Sequence, residues 1–453
     1  MFTMFSISTK ESIKIALAVS IAILVAISLG LDKPYWAAIT CIVISTVEGS
    51  SIAINKWHNR LFGTCLAIFF ATLFTMIFPQ EPELYIVALT LLLGVSVVMS
   101  AEPRYGYIFA LGFPVTVLLS AMGNLDGVAL FETSVLRLQE TVVGVIVYST
   151  VFRLLWPLKP EDNFISLFDE VRAQLIEAME TNDQVSRRKI CQDIKTKTSN
   201  LRRVLFMPLG DSVALKEYSS NWKVRTQELA ILIDKVDTLD GKLVSDSEVK
   251  RRLEVFDPEF PCDSFLIGDN EKKSARKNAL KRPEGLRFKQ LVKQGYGAAL
   301  KSVGVFLCCV LLWIYAPIPG GTVFPLLGAL LASILPLVPL VAIPLTAISV
   351  IGFGLLFLTE YVLLLPMMTE AWQLGLFYFI NAFIVCQVFS HPKLSFVKVL
   401  GLDLLVGLTS GAVMLIPSYD VIGPMLTIVN VLLLLTLFAL VLKLLNTKTS
   451  SCG

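Results

Sequence analysis

IKIALAVSIAILVAISLGL, residues 13–31, contains a single charge, Lys14. A helix rises about 1.5 Å per residue and the hydrocarbon core of a bilayer is about 30 Å thick, so this stretch is long enough to cross one. Asp32-Lys33-Pro34 then forms a turn, and a second apolar run, Tyr35–Ala53, heads back. No small-residue cleavage pattern follows the first run, so it reads as an uncleaved first span rather than a signal peptide.

The same pattern recurs outward from this hairpin. Further apolar segments fall at Leu61–Phe78, Leu84–Ser100, Tyr107–Met122 and Val135–Trp156. A second block follows at Ala298–Tyr315, Val323–Val338, Val341–Leu364, Trp372–Phe389, Val397–Leu415 and Val421–Leu444. Charged residues are 17% of the chain, against about 25% in a soluble domain. They are also unevenly placed, with 26 of the 39 Lys and Arg between Leu158 and Leu300.

The fold class this predicts is an all-α polytopic membrane protein. Two parallel six-helix transmembrane halves, residues 1–157 and 297–445, flank a helical cytoplasmic domain at 158–296, and 446–453 form a short cytoplasmic tail. Phe164, Leu167, Phe168, Val171, Leu175 and Ile176 recur at helical spacing in the central block, as do stripes within Val185–Leu205 and Leu229–Leu239. Phe256–Asp269 reads as a linker, and Lys272–Lys293 carries nine basic residues before the seventh span. Those residues read as a positive-inside signal in contact with anionic headgroups, not as a nucleic-acid site. Lys10, Lys14, Lys56, Arg60, Arg104, Arg153, Lys393, Lys398 and Lys443 share one side of this topology, and the other side carries essentially Lys33. Both termini and the central domain are therefore expected in the cytoplasm.

Several function classes are excluded or weakened. No GxxxxGK[ST] occurs, which argues against an ATP-driven pump. Ile54-Asn55-Lys56-Trp57-His58-Asn59-Arg60 replaces the acidic-basic motif expected of the major facilitator class between its second and third spans. Neither a nucleophile–base pair nor a metal constellation stands out, so no enzyme and no cofactor is expected. Eight cysteines and the two histidines, His58 and His391, form no zinc spacing.

A charge in hydrocarbon costs about 2.5–3.5 kcal/mol even on the lenient insertion scale, so the few charges inside spans are the candidate site residues. Arg137 and Glu140 share a helix face. They are either a self-neutralised interfacial pair or an arginine fork for a substrate carboxylate beside a proton-exchanging acid. Asp403 is either paired structurally with Lys398 or Lys301, or a proton-carrying acid of the second half. Glu48 is either buried near the end of its span or an exposed cap. Arg60, followed by Gly63-Thr64, either fixes a helix start or touches substrate. Lys14 and Lys301 are expected to snorkel to headgroups. Trp36, Tyr107, Trp313, Trp372 and Tyr378 are expected mostly in the interfacial belt.

Three motifs carry a resemblance. The run from Ser12 through Lys33-Pro34-Tyr35-Trp36-Ala37-Ala38-Ile39-Thr40, together with Asn59-Arg60-Leu61-Phe62-Gly63-Thr64 and Arg137-Leu138-Gln139-Glu140-Thr141-Val142-Val143-Gly144, resembles the fusaric acid resistance and aromatic acid exporter family of inner-membrane proteins. The resemblance implies proton-driven export of aromatic carboxylates and related toxic organic anions. It also implies a periplasmic adaptor and an outer-membrane channel as partners. Two departures are the brevity of the tail after Leu444, where such proteins commonly carry a second cytoplasmic domain, and Val47-Glu48-Gly49, where they often have a Gln-Pro or Gly-Pro break. The rival is an organic-anion channel, since plant aluminium-activated malate channels resemble this family.

Overall fold

The computed structural model describes residues 6–45, 50–102, 105–123, 126–156, 160–180, 183–205, 219–238, 288–334, 342–391 and 394–450. Glu48, the Phe256–Asp269 linker and most of the Lys272–Lys293 basic stretch lie outside them. Among the described residues there are fifteen α-helices and no strand.

The chain divides into two compact units. One comprises Met1–Val47, Lys56–Trp156 and Gly285–Gly453, and the other Glu48–Asn55 and Pro157–Glu284.

The second unit is a bundle of α7 (Pro160–Glu180), α8 (Gln184–Leu205) and α9 (Ser219–Thr238). Its core joins Phe164, Phe168, Val171 and Leu175 to Cys191, Ile194 and Leu201, and to Trp222, Leu229 and Ile233. These are the stripes expected from helical spacing. The Trp222 ring meets Phe164 and Phe168 edge-on at 5.0 and 5.2 Å, which fixes α9 against α7. Lys195 bridges Asp234 and Asp237 between α8 and α9 at 3.0 and 2.6 Å. These partners hold its ammonium above the ordinary lysine range, Asp237 first. Such a half-exposed pair adds little stability.

The first unit holds the apolar helices. Before the α7–α9 bundle come α1 (Ile7–Ser28), α2 (Tyr35–Ser45), α3 (Ser50–Ile77), α4 (Pro82–Ser100), α5 (Gly106–Gly123) and α6 (Gly127–Leu154). After it come α10 (Phe288–Tyr315), α11 (Val323–Ile334), α12 (Ala342–Leu363), α13 (Ala371–Val388), α14 (Ser395–Leu408) and α15 (Ile422–Ser450). Among the described residues eight helices are long and apolar enough to cross a membrane. Tyr35–Ser45, Gly106–Ala121 and Val323–Ile334 are shorter apolar helices. Helix is the form such segments must take, because hydrocarbon offers no partner to an open backbone N–H or C=O.

The boundaries differ from expectation in two places. The second apolar segment, expected over Tyr35–Ala53, is helical over Tyr35–Ser45. Residues 50–53 already belong to the next helix, whose apolar span His58–Ile77 lies close to the expected Leu61–Phe78. The eleventh segment stops at Leu408 and turns into a short 3-10 helix, Ser410–Val413, where Thr409 returns its hydroxyl to the Leu405 carbonyl at 2.6 Å.

The two sets of six helices interlock by exchange. The most extensive packing between them joins α1 to α13 and α10 to α4, the first helix of each set against the fourth of the other. Likewise α2 packs on α14 and α11 on α5, second against fifth. Both of the larger contacts depend on glycine. Ser20 on α1 donates to the Gly375 carbonyl of α13 at 2.7 Å, and a Cβ on Gly375 would sit 2.7 Å from Leu24 Cδ1. A Cβ on Gly295 of α10 would lie 2.9 Å from the Val98 Cα of α4. Small residues here let backbones approach, and dispersion then holds the helices where no hydrophobic force acts between lipid-facing surfaces.

Gly295→Ala should therefore be destabilising, because the group in the way is backbone and cannot swing aside. The expected loss is about 1–3 kcal/mol, the usual size of an overpacking penalty. A lower thermal unfolding midpoint of the detergent-purified protein would show it. Gly297→Ala on the same helix, where nothing lies within 4 Å, should be nearly silent.

Candidate functional site

Among the described residues, two clusters join ionisable side chains from the candidate site positions inside the apolar unit. The first is on α6. Asp126 caps this helix by accepting from Val128 N–H, and Arg137 and Glu140 follow on one face. Arg137 Nη1 donates to Glu140 Oε2 at 2.8 Å, with side chains only 5% and 1% exposed. The Trp36 ring covers the guanidinium, 3.8 Å from Cζ to ring centroid. That is a cation–π contact in a desolvated setting.

Packing explains the arrangement. Two turns beyond Arg137, Gly144 meets α2, where an added Cβ would lie 2.5 Å from the Ala37 carbonyl and 2.7 Å from Thr40 Cβ. Cys41 Sγ also donates to the Gly144 carbonyl at 3.3 Å. This close approach brings the first turn of α2, and with it Trp36, over Arg137. Trp36 is therefore a lid on the ion pair.

The Asp32-Lys33-Pro34 turn adjoins the same pair. Burial, followed by the like charge of Arg137, holds the Lys33 ammonium below the ordinary lysine range, while Glu140 and Asp32 pull the other way. Glu140 Oε1 makes no well-formed hydrogen bond, although the Lys33 backbone N–H lies near this carboxylate.

The second group gathers Arg60 of α3, Tyr107 of α5 and Asp403 of α14. Arg60 is 6% exposed. A Cβ on Gly63 would come 3.3 Å from the Ile108 carbonyl, so α3 and α5 lie close and set Arg60 beside Tyr107. Thr64 returns its hydroxyl to the Arg60 carbonyl at 3.0 Å. Asp403 acts electrostatically on Arg60 without forming an ion pair with it. Neither Lys398 nor Lys301 is the charge that acts on Asp403, contrary to the structural pairing weighed from sequence.

Two further expectations are corrected. Lys14 does not snorkel. It is 1% exposed, donates to the Trp156 carbonyl at 2.6 Å and lies over the Phe152 ring, securing the end of α6 where Trp156 turns to φ 42°. Tyr378 is wholly buried, with its hydroxyl 2.7 Å from that of Thr409. Trp372 is exposed, as a belt residue would be. No group of His, Cys, Asp and Glu among the described residues has a metal-holding arrangement.

Sequence reasoning singled out Arg137, Glu140, Arg60 and Asp403 but not the partnership of the last two, nor Tyr107. A motif records spacing along one helix, and this group is assembled from three.

Helices of this length and apolarity, with charge confined to a few interior positions, define a multi-pass α-helical membrane protein. The model of the fusaric acid resistance protein family matches residues 11–198, from α1 into α8. Over this stretch the chain is similar to fusaric acid resistance proteins, which supports a membrane transporter or exporter in general. No curated protein and no solved structure matches the chain.

The α6 pair makes a clean stability prediction. Glu140→Ala leaves a buried guanidinium without its carboxylate and should cost about 3–5 kcal/mol, whereas the double replacement Arg137→Met with Glu140→Leu should cost far less. Thermal unfolding of the purified variants distinguishes them. Equal losses in the single and double variants would mean that the pair is not electrostatically coupled.

Proposed function

We propose that this chain is a secondary exporter of organic anions, aromatic carboxylates among them, moving substrate outward across a bacterial inner membrane against proton influx. Both termini and the α7–α9 unit face the cytoplasm in this reading, and a periplasmic adaptor with an outer-membrane channel receives the substrate. The observation that carries it is the Arg137–Glu140 pair, buried inside Gly127–Leu154, a helix long and apolar enough to span. Ionised groups at such a depth are expensive and mark transport pathways more often than they brace structure. An arginine fork also matches a carboxylate in two-point contact.

Transport into proteoliposomes under an imposed pH gradient tests the reading. Benzoate accumulation that follows the gradient and collapses with a protonophore is the expected outcome. Conductive benzoate flux indifferent to the proton gradient would instead make the protein an organic-anion channel. Arg137→Lys keeps the charge facing Glu140 but loses the planar fork. It should lower transport by at least about tenfold, the worth of a charge-assisted hydrogen bond, with unchanged protein in the membrane. Wild-type transport by that variant would remove Arg137 from the site.

A further inference from the structure

A second buried arginine differs from the first in what faces it. Arg137 holds Glu140 in direct contact. Arg60 is equally buried, yet among the described residues it forms no ion pair; the groups acting on it are Tyr107 and Asp403. Three polar atoms of this group are buried without a hydrogen-bond partner: Arg60 Nε, the Tyr107 hydroxyl and Asp403 Oδ1. Leaving one such atom unsatisfied costs about 1–3 kcal/mol, and more when it is charged. Here two donors and one acceptor stand open around a guanidinium that has no carboxylate in contact with it.

We propose that Arg60, with the Tyr107 hydroxyl, binds the carboxylate of a transported organic anion, and that Asp403 competes with this anion for the same guanidinium. The inference rests on the exporter reading, to which it adds a second substrate position. Arg60 and Tyr107 are both donors, and one carboxylate satisfies both. Asp403 is an acceptor and the wrong partner for a second anion. When Asp403 is ionised, it is the carboxylate that neutralises Arg60. When it carries a proton, Arg60 is left for the substrate. Anion binding and proton uptake at Asp403 are thus linked through one shared cation. The linkage is between binding events and holds whichever face releases each. Because α3 and α5 belong to the first set of helices and α14 to the second, a bound anion is held by one set and controlled from the other.

The surroundings of Asp403 single out Arg60. Helix α14 packs against α2, α12, α13 and α15. Among residues whose side chains are described, their titratable groups are Tyr35 and Cys41, Glu360 and Tyr361, Tyr378 and Cys386, and Lys443, with Lys398 on α14 itself. Beyond these, Arg60 is the charge that acts on Asp403.

The test is equilibrium dialysis of radiolabelled benzoate against the purified full-length protein, at mildly acidic and mildly alkaline pH. Benzoate is ionised at both. The wild type should bind at least about tenfold more tightly on the acidic side, the scale of one charged hydrogen bond. Asp403→Asn should bind tightly at both pH values, and Arg60→Ala weakly at both. Should Arg60→Ala fail to fold, the near-isosteric Asp403→Asn carries the test. An Asp403→Asn variant that keeps the wild-type pH profile, or no benzoate binding by the wild type at either pH, overturns the proposal. Proteoliposome transport run in parallel separates the two readings. Linked binding without transport retains this site and rejects the exporter, whereas transport with pH-independent binding does the reverse.

Discussion

Close helix approach at residues without side chains governs both the architecture and the chemistry of the apolar unit. Between helices in lipid there is no hydrophobic gain to collect, so packing has to be won by contact. Gly375 lets Ser20 hydrogen-bond a backbone carbonyl across the α1–α13 contact, and Gly295 lets α10 lie against the Val98 backbone of α4. These two contacts bind one set of helices to the other by exchange. Gly144 does the same between α2 and α6, and there the consequence is chemical, because it seats Trp36 on Arg137. A side chain at Gly144 would separate the lid from the ion pair without touching either.

Once the helices are this close, every interior charge must be answered locally, and the two arginines are answered differently. Arg137 has a carboxylate one turn away and an aromatic face above it. Both of these partners belong to its own set of helices. Arg60 has a hydroxyl beside it from the same set and a carboxylate at a distance from the other. Its state therefore depends on how the two sets are disposed, which is what a group taking part in transport requires. Lys14 shows a third solution, donating to a main-chain carbonyl at the end of α6.

Most of the fold was legible because apolar length is a property of a segment by itself. The residues 13–31 run, the turn at Asp32-Lys33-Pro34 and the stripe Phe164–Ile176 each declare a helix without reference to anything distant. What one segment does to another was not legible. Tyr378 and Trp372 look alike in the sequence, yet one is wholly buried against Thr409 and the other exposed, because α14 ends in a 3-10 turn that presents Thr409 to α13. Lys14 reads as a headgroup-seeking lysine until the end of α6 is known to offer it a carbonyl. The Arg137–Glu140 pair was legible because its partners lie three residues apart on one helix, whereas Asp403 gave no sign that its charge partner lay on α3.

The exchange pattern also shows where the two sets of helices part company. Helix α15 stands to the second set as α6 does to the first, and its ninth residue, Asn430, is wholly buried. The loop that precedes α11 approaches it: a Cβ on Gly320, at φ 101°, would come 2.7 Å from Asn430 Nδ2. In the first set the corresponding loop, before α2, carries Lys33 and leads to Trp36 over Arg137. A neutral amide beside a glycine in α15 thus contrasts with the guanidinium beneath an indole in α6. The buried positive charge belongs to one set of helices while Asp403, the acid that acts on Arg60, comes from the other. Duplicated helices with identical charges would face each other with like against like at their seam. Dividing cation and acid between the two sets, as Arg60 and Asp403 are divided, instead gives the seam attraction between opposite charges.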